Sequence, residues 1–557
     1  MSVFNRLNEL SHDEVDELVQ SLSQTIIKAP HISSKTVRKS LIVLESMVAL
    51  NRAYDFNEVN LIIDSHEKAI VQNLIEEAMD SQLKKVYVSN HPSDALGVAL
   101  AIALETEAKT IVMVDDKILN YGKTFEALVQ IANYNPNIVI VFYDVQDNLL
   151  KHKNFMDSMI KNVRLSQAYL TIKKDLKSIL SNPIGRPFLD TLSKVRDGLK
   201  DFMIEPTIFS QFNFDYHGAI DGYNRKELDK IFSESFQMEG ANLIHLDTSS
   251  KPLQKLNLPS FKLEEGIPDY YLTYTQALDQ KLKEFDDITV CININKAEDH
   301  MAEYAINFPD HYYVGNGTYH TLVDFVKGLK MVGKRVVIIL SSHEFKHVAP
   351  LIQEQILGYD NTLIILRDSG LNEDGSAVKQ GVYDISYASL FTRDIYMGQD
   401  INESVGILDY LLNQESFPLS ILRIPNAIEP MDDRFELKWI NQFNVHPDNK
   451  AILVSFGPSY HQLVNKISVN KLNIGLININ SFVKLDYFSF DEVRCPIYVY
   501  DIEDYNHTLF NLLSHRYRHL NIYNLTIRGV DLSHKPRDIK QLNGLNIDHV
   551  LNTIIQK

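Results

Sequence analysis

Cysteine is nearly absent from this chain: Cys291 and Cys495 are the whole complement among 557 residues. That gives no basis for a disulfide framework, and neither has the spacing of a metal-ligand pair. Each adjoins an apolar strand-like run, ITV before Cys291 and PIYVY after Cys495, so both are expected to be buried structural thiols. Positive charge is also in deficit. Lys and Arg number 55 against 72 Asp and Glu, a net charge of −17. A general nucleic-acid binder needs a basic face to displace counterions, and this balance argues against one. A local Lys/Arg cluster can still hold one phosphate, so a phosphorylated substrate stays open. No run of ~18 apolar residues exists, so no transmembrane helix is expected. The opening MSVFNRLNELSHDEVDEL has no apolar segment of secretory type, and a cytoplasmic location is expected. The chain also lacks G-x-x-x-x-G-K-[ST], a strand-following G-x-G-x-x-G, H-E-x-x-H and paired C-x-x-C. Simple nucleotide-binding and zinc-hydrolase readings therefore have no support.

What is present is a large globular composition, 45% hydrophobic and 23% charged. At roughly 100–200 residues per domain, the length suggests three or four domains. Ser11 and Glu14 form a capping-box pattern that predicts a helix start. Short β-branched runs then alternate with amphipathic stretches: KKVYVS, helical GVALAIALETE, KTIVMVDD, helical TFEALVQIAN and NIVIVFYD. This alternation predicts βαβ units and a parallel sheet covered on both faces. The pattern lapses over 174–266, apart from a candidate strand NLIHLDT, and the proline-bearing stretch 253–268 reads as a linker. A second alternating section holds DITVCININ, HYYVGNG, KRVVIILSS, NTLIILRDSG and LSILRIP. A third holds KAILVSFGPS, KLNIGLININ, CPIYVYDIED and HLNIYNLTI. The expected architecture is three parallel-sheet α/β domains, over 1–252, 269–430 and 431–557.

Ligands of such sheets sit beyond the carboxyl ends of the strands. That selects Asp115 and Asp116, Asp144, Asn316 to His320, Ser341 to Lys346, and Arg367 to Asp374. The acidic pair closing TIVMV suits a hard cation, or equally an ordinary strand-end loop. Asp221-Gly222 suits a tight turn.

Several segments together resemble the 1-deoxy-D-xylulose-5-phosphate synthase family. YHGAIDGYNRKEL (216–228) resembles its Y-x-G-x-x-D-G-H segment, and EDGSAVKQGVYDISY (373–387) its D-G-x-T-H-x-G-x-F-D-x-x-Y segment. FPDHYYVGNGTYHTLVDFVKGL (308–329) is similar to F-P-D-R-x-x-D-V-G-I-A-E-Q-H, and IVMVDDKILNYGKTFEALVQIAN (111–133) to the G-D-G segment with its helix. HISS (31–34) and SNHPSDALGVALAIA (89–103) fit two earlier segments. The order and spacing are those of the family. The resemblance implies three α/β domains of transketolase type and a homodimer. It also implies thiamine diphosphate held through Mg²⁺, and the joining of pyruvate to glyceraldehyde 3-phosphate with loss of carbon dioxide, a step toward terpenoids.

Carried onto this chain, the resemblance assigns His31, His91, Thr318 and His320 to the catalytic positions. It assigns Asp116, Asp144 and His343 to the cofactor, Lys346 and Asp374 to the substrate, and Asp116 to the metal. Several of these positions have changed chemistry. Thr318 stands where the family has the glutamate that activates the thiazolium, and threonine cannot carry that proton. Val145 stands where an asparagine would ligate Mg²⁺, and valine offers no oxygen. Asp115 and Lys117 replace the glycines beside Asp116. Val378 or Lys379 replaces the histidine of the D-G loop, Asp368 an arginine and Asn426 a phosphate-facing arginine. His66-Glu67 stands at the family's glycine-histidine pair. Lys346 keeps an arginine's charge without its bidentate geometry. The expectation is a family member with degenerate cofactor and metal sites that does not perform the parent reaction. An active thiamine-diphosphate transferase and a different enzyme or ligand-binding protein in the same cleft are the alternatives. The partners expected are a second copy of the chain and a small phosphorylated or keto-acid ligand.

Overall fold

The computed structural model describes residues 11–28, 34–54, 58–64, 86–89, 94–106, 108–115, 118–119, 121–143, 214–248, 270–293, 310–315, 319–371, 380–425, 437–502, 504–527, 539–541 and 543–556. The chain divides into two compact units, Met1–Lys262 and Leu263–Lys557. The expected linker, 253–268, lies outside the described residues.

In the first unit, six strands form one parallel sheet: β1 (Asn60–Asp64), β2 (Val86–Ser89), β3 (Thr110–Asp115), β4 (Ile138–Tyr143), β5 (Asp215–Asp221) and β6 (Ala241–Asp247). Their spatial order is β2-β1-β3-β4-β6-β5. The central strands TIVMVD and IVIVFY are buried at every position, which is why they read as continuous apolar runs. Their side chains alternate between two cores. Ile111, Met113, Val139 and Val141 face helices α1 (His12–Lys28), α2 (Ser34–Ala53) and α5 (Arg225–Gln237). Val112, Val114, Ile140 and Phe142 face α3 (Ala95–Glu105) and α4 (Gly122–Tyr134). The capping box at the start of α1 forms as its sequence predicts. Glu14 accepts from the Ser11 backbone N–H at 2.8 Å, and Ser11 Oγ accepts from the Glu14 N–H at 3.4 Å.

The second unit carries two sheets. In the first, β7 (Ile288–Asn293), β8 (Tyr312–Gly315), β9 (Arg335–Ser341), β10 (Thr362–Ser369), β11 (Ile395–Tyr396) and β12 (Ser420–Pro425) lie parallel in the order β11-β12-β10-β9-β7-β8. Helices α6 (Tyr270–Glu284), α7 (Tyr319–Met331), α8 (Ser342–Gln355), α9 (Asp384–Ala388) and α10 (Ile401–Leu412) accompany it. The second sheet has the order β13-β15-β14-β16-β17, from β13 (Ile440–Phe443), β14 (Ala451–Phe456), β15 (Ile474–Ile479), β16 (Ile497–Asp501) and β17 (Ile522–Thr526). Its helices are α11 (Tyr460–Val469), α12 (Thr508–Arg516) and α13 (Ile547–Gln556). One apolar layer serves both sheets: Val336, Ile338 and Leu340 of β9 belong to the same buried cluster as Ile452, Val454 and Phe456 of β14.

The structure departs from the sequence reading at several points. β13 runs antiparallel to β15, so the last sheet is mixed rather than wholly parallel. β5 and α5 fill part of the stretch read as lapsed, because DYHGAID carries too little apolar run to signal an edge strand that pairs only with β6. Asp221-Gly222 still makes the expected turn, with Asp221 Oδ1 accepting from the Tyr223 N–H at 2.9 Å. Cys291 is fully buried inside β7, whereas Cys495 is only half-buried.

Candidate functional site

The described residues concentrate polar contacts at the carboxyl ends of β9, β10 and β12. Strand β9 passes directly into α8 through Ser341, whose hydroxyl accepts from the Glu344 N–H while Glu344 accepts from the Ser341 N–H at 2.9 Å. This reciprocal cap ends the strand and fixes the entry angle of the helix. His343, assigned to the cofactor by sequence, sits in this turn with Nδ1 2.9 Å from Ser341 Oγ.

The next strand ends in a constrained turn. Asp368 has φ +55 and Gly370 φ +81. Gly370 pairs with Gly381 in an antiparallel bridge, the Gly381 N–H donating to the Gly370 carbonyl at 2.7 Å. A Cβ on Gly381 would lie 2.3 Å from the Asp368 carbonyl oxygen, so no side chain fits there. The bridge joins the residues that flank the D-G segment; residues 372–379, with Asp374, lie outside the described residues.

Just past the bridge, α9 delivers Asp384 into the interior. Its carboxylate accepts from Ser342 Oγ at 2.6 Å, Ser369 Oγ at 2.9 Å and Arg423 Nε at 3.0 Å, with Arg423 Nη2 at 3.0 Å from the other oxygen. Both side chains of this ion pair are inaccessible to solvent. Arg423 also directs Nη1 at Met397 Sδ, 3.0 Å away, and its guanidinium carbon lies 5.9 Å from the Phe456 ring centre. A buried charge persists only when paired and hydrogen-bonded, and this one is. The cluster ties together the turn after β9, the end of β10, the return of the D-G loop and β12. Sealed and saturated, it is a strut that positions the rim of the sheet.

Lys346 lies one turn after Ser342 on α8, with Nζ 5.2 Å from the Tyr383 ring centre. Burial holds its amine below the usual lysine range, and the nearby Asp384 charge partly opposes that shift. This half-buried cation could hold an anionic group at the sheet's rim. His320 stands exposed in the first turn of α7. Asp115 is buried at the end of β3. The other expected site residues, His31, His91, Asp116, Asp144, Thr318 and Asp374, lie outside the described residues, as do Val145 and Asn426. Among the described residues, no three His, Cys, Asp or Glu side chains converge as metal ligands.

Of the expected residues, then, the structure places His343 and Lys346 on α8 and His320 on α7, whose Tyr319 stacks on His347 of α8 at 5.4 Å. Sequence reading missed Asp384 and Arg423. The signal was available in LSILRIP, where a single charge interrupts a strand expected to be buried on both faces.

A family model described as 1-deoxy-D-xylulose-5-phosphate synthase matches residues 75–248. The 1-deoxy-D-xylulose-5-phosphate synthase of Clostridium perfringens strain SM101 is 23% identical, with 99% of this chain and 98% of the relative covered. That of Clostridium tetani is 22% identical with the same coverage. Among solved structures, transketolase from Campylobacter jejuni is similar at a TM-score of 0.43 and 12% identity, covering 97% of this chain and 100% of that one.

Proposed function

We propose, on the premise that this chain is a divergent member of the 1-deoxy-D-xylulose-5-phosphate synthase family, that it does not carry out the parent condensation and that its cofactor cleft has been turned to another use. The observation that carries this reading is the chemistry of the donor set. Thr318 replaces the group that would shuttle the thiazolium proton, and losing such a group costs about 10²–10⁴ in rate. Val145 replaces an oxygen ligand of the metal. Asp115 and Lys117 replace the glycines that would let the diphosphate approach the backbone. Thiamine diphosphate and Mg²⁺ therefore do not fit the residues at the matching positions.

The losses fall on cofactor, metal and substrate positions together, while the strut of Asp384, Arg423, Ser342 and Ser369 is complete. Selection for the fold without selection for the chemistry gives that pattern. Lys346, half-buried with its amine below the ordinary range, supports retention of a small phosphorylated or keto-acid ligand at the rim. The molecule in this reading is a cytoplasmic homodimer.

Calorimetric titration of the full chain with thiamine diphosphate and Mg²⁺ tests it, beside a Val145→Asn, Thr318→Glu double variant. No heat and no thermal shift for the natural chain is the expected result. Micromolar binding followed by pyruvate turnover would overturn the reading in favour of an active transferase.

A further inference from the structure

A cleft of about 720 Å³ opens in the second unit between the segment following α9 and the face of α12. None of its lining residues belongs to a position to which the family resemblance assigns a role. Its wall is partly apolar, from Leu485 and Leu513, both buried, and Leu390, which is 68% exposed at the rim. Its polar feature is a shared carboxylate. Arg393 grips Asp486 with two bonds, Nη1 to Oδ2 at 3.0 Å and Nη2 to Oδ1 at 3.2 Å. Arg516 meets the same Oδ1 through Nη1 at 3.0 Å and the Asp486 carbonyl through Nη2 at 3.1 Å. Two guanidiniums share this one exposed carboxylate, while the neighbouring Asp504 carboxylate is buried and bonded to Ser386 Oγ and the Asn506 and Thr508 N–H groups. Asn506 and Thr508 add an amide and a hydroxyl to the same lining.

The start of α12 is not the attraction. Asp504 already accepts from the Thr508 N–H at 2.6 Å and the Asn506 N–H at 3.0 Å. Anion recognition at this cleft falls to the arginines. A guanidinium presents five donors in a planar fork, and those not bound to Asp486 or, for Arg516, to the Leu485 carbonyl at 3.4 Å remain for an incoming group. A phosphoryl group, with three acceptor oxygens, can reach both forks while Asp486 stays in place. The leucines give an attached organic group an apolar surface.

We propose that this cleft binds a small organic phosphate ester, its phosphoryl group on Arg393 and Arg516 and its apolar body over Leu390 and the partly buried Leu512. Asp486 acts as an internal competitor that sets how tightly the ester is held. The inference is independent of whether thiamine diphosphate binds.

Titration of the full chain with phenyl phosphate, inorganic phosphate and phenol, followed by calorimetry, tests it. Phenyl phosphate is expected to bind about tenfold more tightly than inorganic phosphate, and phenol not at all, because the apolar body adds to an anchor that only the phosphoryl supplies. Arg393→Gln and Arg516→Gln are expected to weaken phenyl phosphate at least about tenfold, the worth of a charge-assisted hydrogen bond. Asp486→Asn is expected to tighten it severalfold. All three side chains are substantially exposed, so the variants should fold, and unchanged thermal midpoints check this. The opposed signs of the arginine and aspartate variants are the signature of this site. Binding that no variant alters, binding that appears only after Asp486→Asn, or no binding by any form overturns the proposal.

Discussion

Asp384 and Arg423 hold each other by two contacts of 3.0 Å with neither side chain reaching solvent. Asp384→Asn leaves Arg423 a buried cation without its counter-charge. The expected loss is about 3–5 kcal/mol in urea unfolding. The paired Asp384→Leu, Arg423→Met variant, with neither charge left, is expected to lose less than the two single changes summed. A double variant as unstable as that sum would place the energy in the Ser342 and Ser369 hydroxyls rather than in the ion pair.

Glu403 supplies a pH dependence. It lies in the first turn of α10, accepting from Asn441 Nδ2 at 3.0 Å, from the Gln399 N–H at 3.0 Å, and from Asn480 Nδ2. Burial, helped by the neighbouring Asp400 charge and opposed by these donors, pushes its carboxyl up from 4.5 to about 7. With the folded value above the unfolded one, the folded chain holds the extra proton between these limits. Stability therefore falls as pH rises from about 4.5 to about 7, by roughly 3 kcal/mol if the whole shift is expressed. Glu403→Gln is expected to flatten that part of the profile. Thermal midpoints from pH 5 to 8 read it, and a slope unchanged by the substitution would assign the effect to another group.

Gly381→Ala should be costly for a steric reason. The added carbon has the Asp368 carbonyl at 2.3 Å and the Gly370 nitrogen at 2.9 Å, both backbone atoms. Relief requires opening the Gly370–Gly381 bridge, with an expected loss of about 1–3 kcal/mol. Limited proteolysis is expected to cut the 371–380 segment faster in the variant.

Trp439 is the chain's one tryptophan. Its ring lies 4.8 Å from Tyr410 and 5.7 Å from Tyr396, with Lys484 Nζ 5.5 Å from its centre. Lys484→Met removes the cation from this aromatic group at an expected cost of about 0.5–1 kcal/mol. The variant's tryptophan emission is expected to change in position or intensity; an identical spectrum would mean that the ammonium does not sit over the ring in solution.

Much of the fold was legible because parallel strands covered on both faces must be apolar along their length, and IVMV, IVIVFY, VVIIL and LIIL are. Of the strands that escaped notice, β5, β11 and β13 stand at sheet edges, where neighbours rather than their own composition secure them, while β1, between β2 and β3, has only the short apolar run LII between Asn60 and Asp64. The site was less legible for a different reason. His343 and Lys346 could be placed by their motif, but Asp384 and Arg423 stand 39 positions apart, and nothing local says that one will neutralise the other. Arg423 in LSILRIP signals only that some partner must exist.

The apolar layer common to β9 and β14 bears on how this chain can change over time. Residues on either side of position 431 bury the same surface, so neither half can be exchanged with a relative's, or deleted, without stripping the other bare. A cut between the two halves would lay open apolar surface that the two sheets now cover for each other.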